Sequence, residues 1–147
     1  MAGFTTNYNV GGTVDQVNGL PYPTFPTMYV PYTVGRQVTL SGSQATATDT
    51  FSFPYDVQYI NIAVAAEQYN ATDYWSLNIG GTPLCDSIYM KGVPETISAG
   101  GDSRVVYPIV EGTLVTFTYT NNSLLPNTIA YNVKVLTASG GGGVVNG

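Results

Sequence analysis

Several stretches of this chain alternate apolar and polar residues with a period of two, the repeat of a half-buried β-strand. The clearest cover residues 59–65, 74–79, 114–120 and 129–136, and all are rich in β-branched and aromatic residues. The residues expected to share a strand face are Ile60, Ile62 and Val64; Trp75, Leu77 and Ile79; Val115, Phe117 and Tyr119; and Ile129, Tyr131, Val133 and Val135. The chain is therefore predicted to fold as strands.

Turn signals separate these runs. Gly80-Gly81 stands between two of them and favours a tight hairpin. Pro108 interrupts another apolar run, which indicates an edge strand or a bulge. We expect an all-β fold, an antiparallel β-sandwich or jelly roll of about seven or eight strands. The alternative to strand is a short helix over 63–71, where Ala, Glu and Gln favour helix.

The 147 residues divide into three zones of different composition. Residues 1–35 hold Pro21, Pro23, Pro26 and Pro31, and proline removes backbone donors and fixes φ. We predict an extended N-terminal arm over 1–35, a β-sandwich domain over 36–137, and a glycine-rich tail over 138–147. The tail is interpreted as unstructured chain, or as a segment that threads into a neighbouring molecule, because glycine permits close approach of backbones.

Only 9% of the residues are charged, against roughly 25% in ordinary soluble domains. The surface must therefore be built from uncharged polar residues and tyrosine, and it lacks the charge repulsion that keeps monomers apart. Such a surface suits a protein that is in lasting contact with other protein.

The net charge is −5, and the few basic residues are spread along the sequence. Nucleic-acid binding needs clustered Lys and Arg, so neither nucleic acid nor an anionic membrane is an expected partner. The first ten residues have no signal-peptide pattern, and no apolar run reaches transmembrane length. We expect synthesis in a host cytoplasm, and a mature secreted chain with an added Met is the alternative.

Residues that carry chemistry are scarce. The absence of histidine from the sequence removes the usual nucleophile pairs and the commonest metal ligand. Cys85 has no basic neighbour in sequence and is interpreted as a small core residue. A glycosidase needs two carboxylates that face each other, and a pair such as Asp73 and Asp86 meeting across a hairpin is the enzymatic alternative. We expect no enzyme activity, no cofactor and no metal.

Aromatic residues are the remaining signal, with twelve tyrosines and one tryptophan. An extended arm has no core of its own, so Tyr22, Phe25, Tyr29 and Tyr32 must lie on some other surface, and we predict that they form an assembly interface. Trp75 is interpreted as a core residue. The alternative is a sugar-binding platform that Trp75 forms with the neighbouring tyrosine, Tyr74.

Two segments resemble a unit of the β-sandwich accessory virion proteins of tailed phages. They are 73–91, which includes Asp73-Tyr74-Trp75-Ser76-Leu77 and Cys85-Asp86-Ser87, and 105–123, which ends in Phe117-Thr118-Tyr119-Thr120-Asn121-Asn122-Ser123. The resemblance covers about 50–136, consists of strand and turn residues, and brings no catalytic residue. It implies a head decoration protein, head fibre or tail appendage.

Together these features predict a non-enzymatic virion subunit that decorates or cements a capsid or tail surface through its arm. Its expected partners are copies of itself and a major capsid or tail protein. The alternatives are a subunit of an extracellular filament assembled by strand donation, and a carbohydrate-binding, host-recognition module.

Overall fold

The computed structural model describes residues 25–93, 96–99, 105–139 and 142–147, together with the backbone of 16–17 and 20–21. Twelve strands lie in these parts of the chain: β1 (Gln16–Val17), β2 (Leu20–Pro21), β3 (Val30–Leu40), β4 (Thr46–Ser52), β5 (Val57–Ala66), β6 (Tyr74–Ile79), β7 (Thr82–Tyr89), β8 (Thr96–Ser98), β9 (Tyr107–Ile109), β10 (Val115–Thr120), β11 (Asn127–Thr137) and β12 (Val145–Asn146). The prediction of an all-β chain is confirmed, and the described residues contain no helix.

Two five-stranded antiparallel sheets make up most of the structure. The first has the order β12-β4-β10-β6-β7. The second has the order β3-β11-β5-β8, and β9 also pairs with β5. Strands β1 and β2 form a separate two-stranded ladder. Apart from the β6–β7 hairpin, the long strands pair with strands distant in sequence, so long-range contacts hold the fold together.

The inner faces of the two sheets pack on one another around a shared hydrophobic core. Phe117 of β10 stacks on Tyr131 of β11, with ring centroids 4.0 Å apart, and this contact joins the sheets directly. Trp75 of β6 lies against Phe117 at 5.9 Å. The architecture is therefore β-sandwich-like, and the alternation predicted for β6, β10 and β11 places the expected residues inside.

The face prediction for β5 is wrong at one residue. Ile60 was expected to share a buried face with Ile62 and Val64, but only the latter two are buried. The pairing with β11 passes from Lys134–Asn61 directly to Val135–Tyr59, so Ile60 is the extra residue of a β-bulge. The bulge shifts the phase of the strand, and Tyr59 faces the core instead. The helix alternative over 63–71 is wrong, because β5 continues to Ala66.

Prolines lie only on edge strands among the described strands of the two large sheets. Pro31 is in β3, Pro83 in β7 and Pro108 in β9. An edge strand has one side without ladder partners, so the missing N–H of proline leaves no gap in the pairing. The expectation that Pro108 marks an edge is confirmed.

Strand β3 begins at Val30, whereas the sequence prediction placed the arm over 1–35 and the start of the domain at residue 36. Every residue of β3 pairs with β11, from Val30–Thr137 to Leu40–Asn127. Residues 30–35 therefore belong to the second sheet, because the edge position tolerates Pro31. The N-terminal part of the predicted arm, including Tyr22, lies outside the residues whose side chains are described.

The end of the predicted tail is also paired within its own chain. Val145 and Asn146 form β12 alongside Ser52 and Phe51 of β4. Gly147 N–H adds a hydrogen bond to the Thr50 carbonyl at 2.9 Å. The last residues thus extend the edge of the first sheet.

Candidate assembly surface

Residues 25–29 run into β3 and are held to the second sheet by one side chain. The backbone N–H groups of Thr27 and Met28 both donate to Gln58 Oε1, at 3.0 and 3.1 Å. Gln58 Nε2 in turn donates to Thr27 Oγ1 at 2.8 Å. Gln58 lies on β5 and is buried, so these bonds are partly shielded from water. The segment is thereby fixed in direction where it enters the fold.

We call the hydrogen bonds between Gln58 and residues Thr27 and Met28 the clasp. The aromatic side chains next to the clasp are exposed to solvent. Phe25 is 46% exposed and Tyr29 is 80% exposed. Tyr32 differs, because it lies on β3, is partly buried and packs against the core. The predicted interface residues therefore do not form one set: Phe25 and Tyr29 are available to another surface, whereas Tyr32 packs on its own sandwich.

Strand directions show what surrounds the two exposed rings. β3, β5 and β10 begin at the same end of the sandwich as residues 25–29, and β4 and β11 finish there. We call this the entry end, and define it by residues 25–29, 53–56, 110–114 and 138–139. Val110 and Leu114 are also exposed there. The entry end thus carries several exposed apolar side chains at the end of the sandwich where the chain enters β3.

A cavity of about 310 Å³ opens at the entry end. Its lining consists of Met28, Tyr55, Asp56, Glu111, Thr137, Ala138 and Ser139. The Glu111 N–H donates to Asp56 Oδ1 at 2.8 Å, which ties the two loops together. Among the described residues, the Tyr55 hydroxyl has no hydrogen-bond partner, and burial raises its pKa. The cavity forms where the N-terminal segment, two loops and the end of β11 converge.

The opposite end of the sandwich is built differently. Asp73 is fully buried there, and Oδ2 accepts from the Tyr119 hydroxyl at 3.0 Å and from the Asn70 N–H at 3.0 Å. Its Oδ1 accepts from the Asn122 N–H at 2.7 Å. Asn121 is also fully buried, and Nδ2 donates to the Leu125 carbonyl at 2.9 Å. These bonds fix the loops of that end from within.

One ion pair connects β3 to the first sheet. Arg36 Nε and Nη2 donate to the two carboxylate oxygens of Asp49, at 2.6 and 2.9 Å. The Tyr131 hydroxyl donates to Asp49 Oδ2 at 2.6 Å, and the Arg36 guanidinium lies 4.7 Å from the centroid of the Phe51 ring. The hydrogen bonds from Arg36 lower the pKa of Asp49, and burial raises the pKa of Tyr131.

The sugar platform considered for Trp75 and Tyr74 has no geometric support at Trp75. The ring of Trp75 is packed against Phe117, and the residue is 3% exposed, so it offers no face to a sugar. Tyr74 lies on the other face of β6, half-buried, with its ring centroid 5.4 Å from that of Tyr89. Trp75 is thus a core residue, as the sequence indicated.

The residues considered for chemistry are also apart. Met90 N–H donates to the Asp73 carbonyl, so Asp73 lies opposite Met90, four residues after Asp86, and the two carboxylates are not a cross-strand pair. Cys85 is buried, and desolvation raises its thiol pKa to about 11. Within the described ranges, no cluster of three metal-ligating side chains occurs. In the same part of the chain, no helix is long and apolar enough to cross a membrane.

Sequence reasoning did not identify Gln58, Val110 or Leu114. Gln58 is one polar residue inside an apolar strand, and nothing in its neighbours distinguishes it from an ordinary outward-facing position. Val110 and Leu114 belong to apolar runs that predict strand, but they lie in the loop between β9 and β10. Only the topology of the two sheets places them at the same end of the sandwich as residues 25–29.

The described structure is that of an all-β, β-sandwich-like domain with exposed aromatic side chains at one end. The chain belongs to the family called domain of unknown function DUF8551, whose profile matches residues 29–140. The match begins beside β3 and ends just after β11, so it covers the two sheets except β12. No curated protein and no solved structure matches the chain.

Proposed function

We propose that the chain is a non-enzymatic structural subunit of a phage virion, attached to the capsid or tail by its entry end. The observation that carries this proposal is the pairing of a fixed backbone with exposed rings. Gln58 holds residues 25–29 in place, yet Phe25 and Tyr29 stay in solvent. A backbone already ordered costs less conformational entropy on binding, which favours docking of the two rings into a partner.

The strand order supports a finer description of the fold. The eight main strands, with β8 and β9 taken as one, divide between the sheets into two sets of four, β3-β11-β5-β8 and β4-β10-β6-β7. We propose that this is a jelly roll, the double-sheet arrangement that viral capsid and lectin domains use. A fold of this kind hosts many functions, so the argument for a virion rests on the surface and not on the fold.

The charge content supports lasting contact with protein. Charged residues are 9% of the chain, and charge is depleted at the centre of protein interfaces. Residues 25–29 and the end of β11 both lie at the entry end, so the chain enters β3 and finishes β11 on one side of the sandwich. That side is the one we propose faces the particle, with the loops of the opposite end pointing outward.

The energetics favour attachment in many copies. Two aromatic side chains that each bury ~100 Å² contribute roughly 5 kcal/mol at about 25 cal/mol per Å². Association of two molecules costs about 4–15 kcal/mol in lost freedom of motion. These two rings alone give weak binding, and the remaining apolar residues of the entry end and repeated attachment to a lattice strengthen it.

The first test is the composition of particles. Virions purified from the replicon that encodes the chain should contain it in many copies, as measured by quantitative mass spectrometry. Its absence from purified particles contradicts the proposal.

The second test locates the attachment. Particles lacking the chain are incubated with the purified protein, and bound protein is measured after sedimentation. Phe25→Ala/Tyr29→Ala should lose binding at least tenfold. The matched control, Tyr69→Ala, changes an exposed ring in the loop after β5, at the opposite end, and should bind like the parent. Equal loss in both variants, or loss only in the control, places attachment elsewhere.

A further inference from the structure

The last residues of the chain occupy the free edge of β4 through few contacts. Of the described residues 142–147, Val145 and Asn146 pair with β4, and Gly147 N–H adds one bond to the Thr50 carbonyl at 2.9 Å. Val144 is partly buried and packs against the core. A segment held by so few bonds opens far more readily than the central strands.

The terminal segment contacts both sheets. Gly143 N–H donates to the Tyr32 hydroxyl at 2.9 Å, and Tyr32 belongs to β3 of the second sheet. β4 belongs to the first sheet, so the terminal segment closes the gap between the two sheets at this side of the sandwich. When the segment leaves, β4 presents unpaired backbone groups, a template for any added strand.

The link between β11 and this segment is rich in glycine. The sequence reads Gly-Gly-Gly-Gly over 140–143, and Gly143 has a φ of +86°, which L side chains rarely adopt. Residues 138–144 can span roughly 25 Å when extended. Exchange with an adjacent copy requires a link of this kind, several residues long and free of bulky side chains.

We propose that the β4 edge is an exchange site for the terminal segment of a second copy of this chain. Val144 to Gly147 of one molecule take the place that the same residues hold in their own molecule. The exchanged form makes the same hydrogen bonds and apolar packing as the closed form, so the balance between the two forms is set by how close the copies lie. The arrangement is closed in dilute solution and exchanged where copies are crowded, and each exchanged segment links neighbours by strand addition.

This inference concerns contacts between copies and does not rest on the virion proposal. A filament or a soluble oligomer could use the same exchange. Failure of the particle tests above therefore leaves it standing, and its own failure leaves them standing.

The test uses disulfide trapping across the register pair Val145 and Ser52, of which Val145 is exposed and Ser52 is buried at the β4 edge. The native thiol is removed first, as Cys85→Ala. In that background, Ser52→Cys and Val145→Cys are made in separate chains, mixed in equal amounts and oxidised at increasing protein concentration. The statistical share is the fraction of mixed disulfide that random pairing of the two variants would give. We expect the mixed disulfide to exceed this share and to rise with protein concentration. A mixed share at or below the statistical value at every concentration overturns the proposal.

Two controls make the outcome decisive. Tyr69→Cys mixed with Val145→Cys places the first thiol at the opposite end, and it should give only the statistical share. A single chain that carries both Ser52→Cys and Val145→Cys should close internally when dilute. If that chain forms no internal disulfide, the association of the parent and of a chain ending at Ser139 is compared by sedimentation. Association that the truncated chain loses supports exchange, and equal association in both contradicts it.

Discussion

Arg36 and Asp49 form a two-point ion pair, with Nε 2.6 Å from Oδ2 and Nη2 2.9 Å from Oδ1, that spans the two sheets. Both side chains are mostly shielded, with exposures of 14% and 19%. The Tyr131 hydroxyl satisfies the same carboxylate. The pair therefore acts as a cross-link at the side of the sandwich where β3 meets β4.

The first prediction is that Asp49 makes stability depend on acid pH. Hydrogen bonds from Arg36 lower the pKa of Asp49 below its value of 3.8. Its contribution is therefore present above about pH 4 and is lost as pH falls through the lower, folded-state pKa. Asp49→Asn should reduce the free energy of unfolding by about 2 kcal/mol at neutral pH. Urea titrations at several pH values should show the difference from the parent shrinking below about pH 4. A difference that is constant with pH contradicts the assignment.

The second prediction concerns alkaline pH. Burial raises the pKa of Tyr59, Tyr119 and Tyr131 above 10.0. A group with a raised folded-state pKa contributes stability below its unfolded pKa, and that contribution is lost as pH rises. The melting temperature should fall steeply above about pH 10. Tyrosinate absorbance followed alongside far-ultraviolet circular dichroism should show some tyrosines ionising only as the protein unfolds. Complete tyrosine ionisation in the folded protein contradicts this expectation.

The sequence predicted the strands well because their alternation depends on local residues. In β10 and β11 every second residue is buried, as the pattern requires. Gly80 and Gly81 form the predicted hairpin turn, and both have positive φ, 59° and 84°, which glycine adopts without strain. Cys85 and Trp75 are in the core, as expected. Local periodicity and turn chemistry were sufficient for these features.

The sequence could not predict features that depend on contacts between distant residues. The bulge at Ile60 arises from how β5 pairs with β11, and no residue near Ile60 signals it. The boundary at Val30 depends on β3 lying at an edge, where Pro31 is tolerated. The clasp of Gln58 on Thr27 joins residues 31 positions apart. The candidate surface was therefore predicted only as a list of aromatic residues, of which Phe25 and Tyr29 are exposed at the entry end.

The third prediction separates folding from surface function. Phe117 is fully buried and stacked on Tyr131, so Phe117→Ala should reduce the free energy of unfolding by about 3–5 kcal/mol. Phe25 is half-exposed, so Phe25→Ala should change it by less than about 0.5 kcal/mol. Thermal melts of both variants measure this. A large loss of stability in Phe25→Ala would show that the ring contributes to folding. Reduced particle binding by Phe25→Ala/Tyr29→Ala would then report unfolding and not a lost contact.

The fourth prediction concerns the thiol of Cys85. Burial raises its pKa to about 11, so little thiolate is present near neutral pH. Alkylation of the folded protein should be slow, and its rate should increase with urea in step with unfolding. The control is Val145→Cys in the Cys85→Ala background, where the exposed thiol should react at once. Rapid labelling of Cys85 in native protein contradicts its burial.

The fifth prediction tests the clasp that orients the candidate surface. Gln58→Leu keeps the approximate size of the side chain but removes both its acceptor and its donor, so the N–H groups of Thr27 and Met28 lose their partner. An unpaired, partly buried donor costs about 1–3 kcal/mol, so the segment should detach from the sheet while the core stays folded. Hydrogen exchange at Thr27 and Met28 should quicken at least tenfold. The matched variant Thr27→Val loses only the bond from Gln58 Nε2 and should show a smaller effect at Met28. Unchanged hydrogen exchange in Gln58→Leu would mean that contacts other than those of Gln58 hold residues 25–29. The clasp would then not orient the exposed rings.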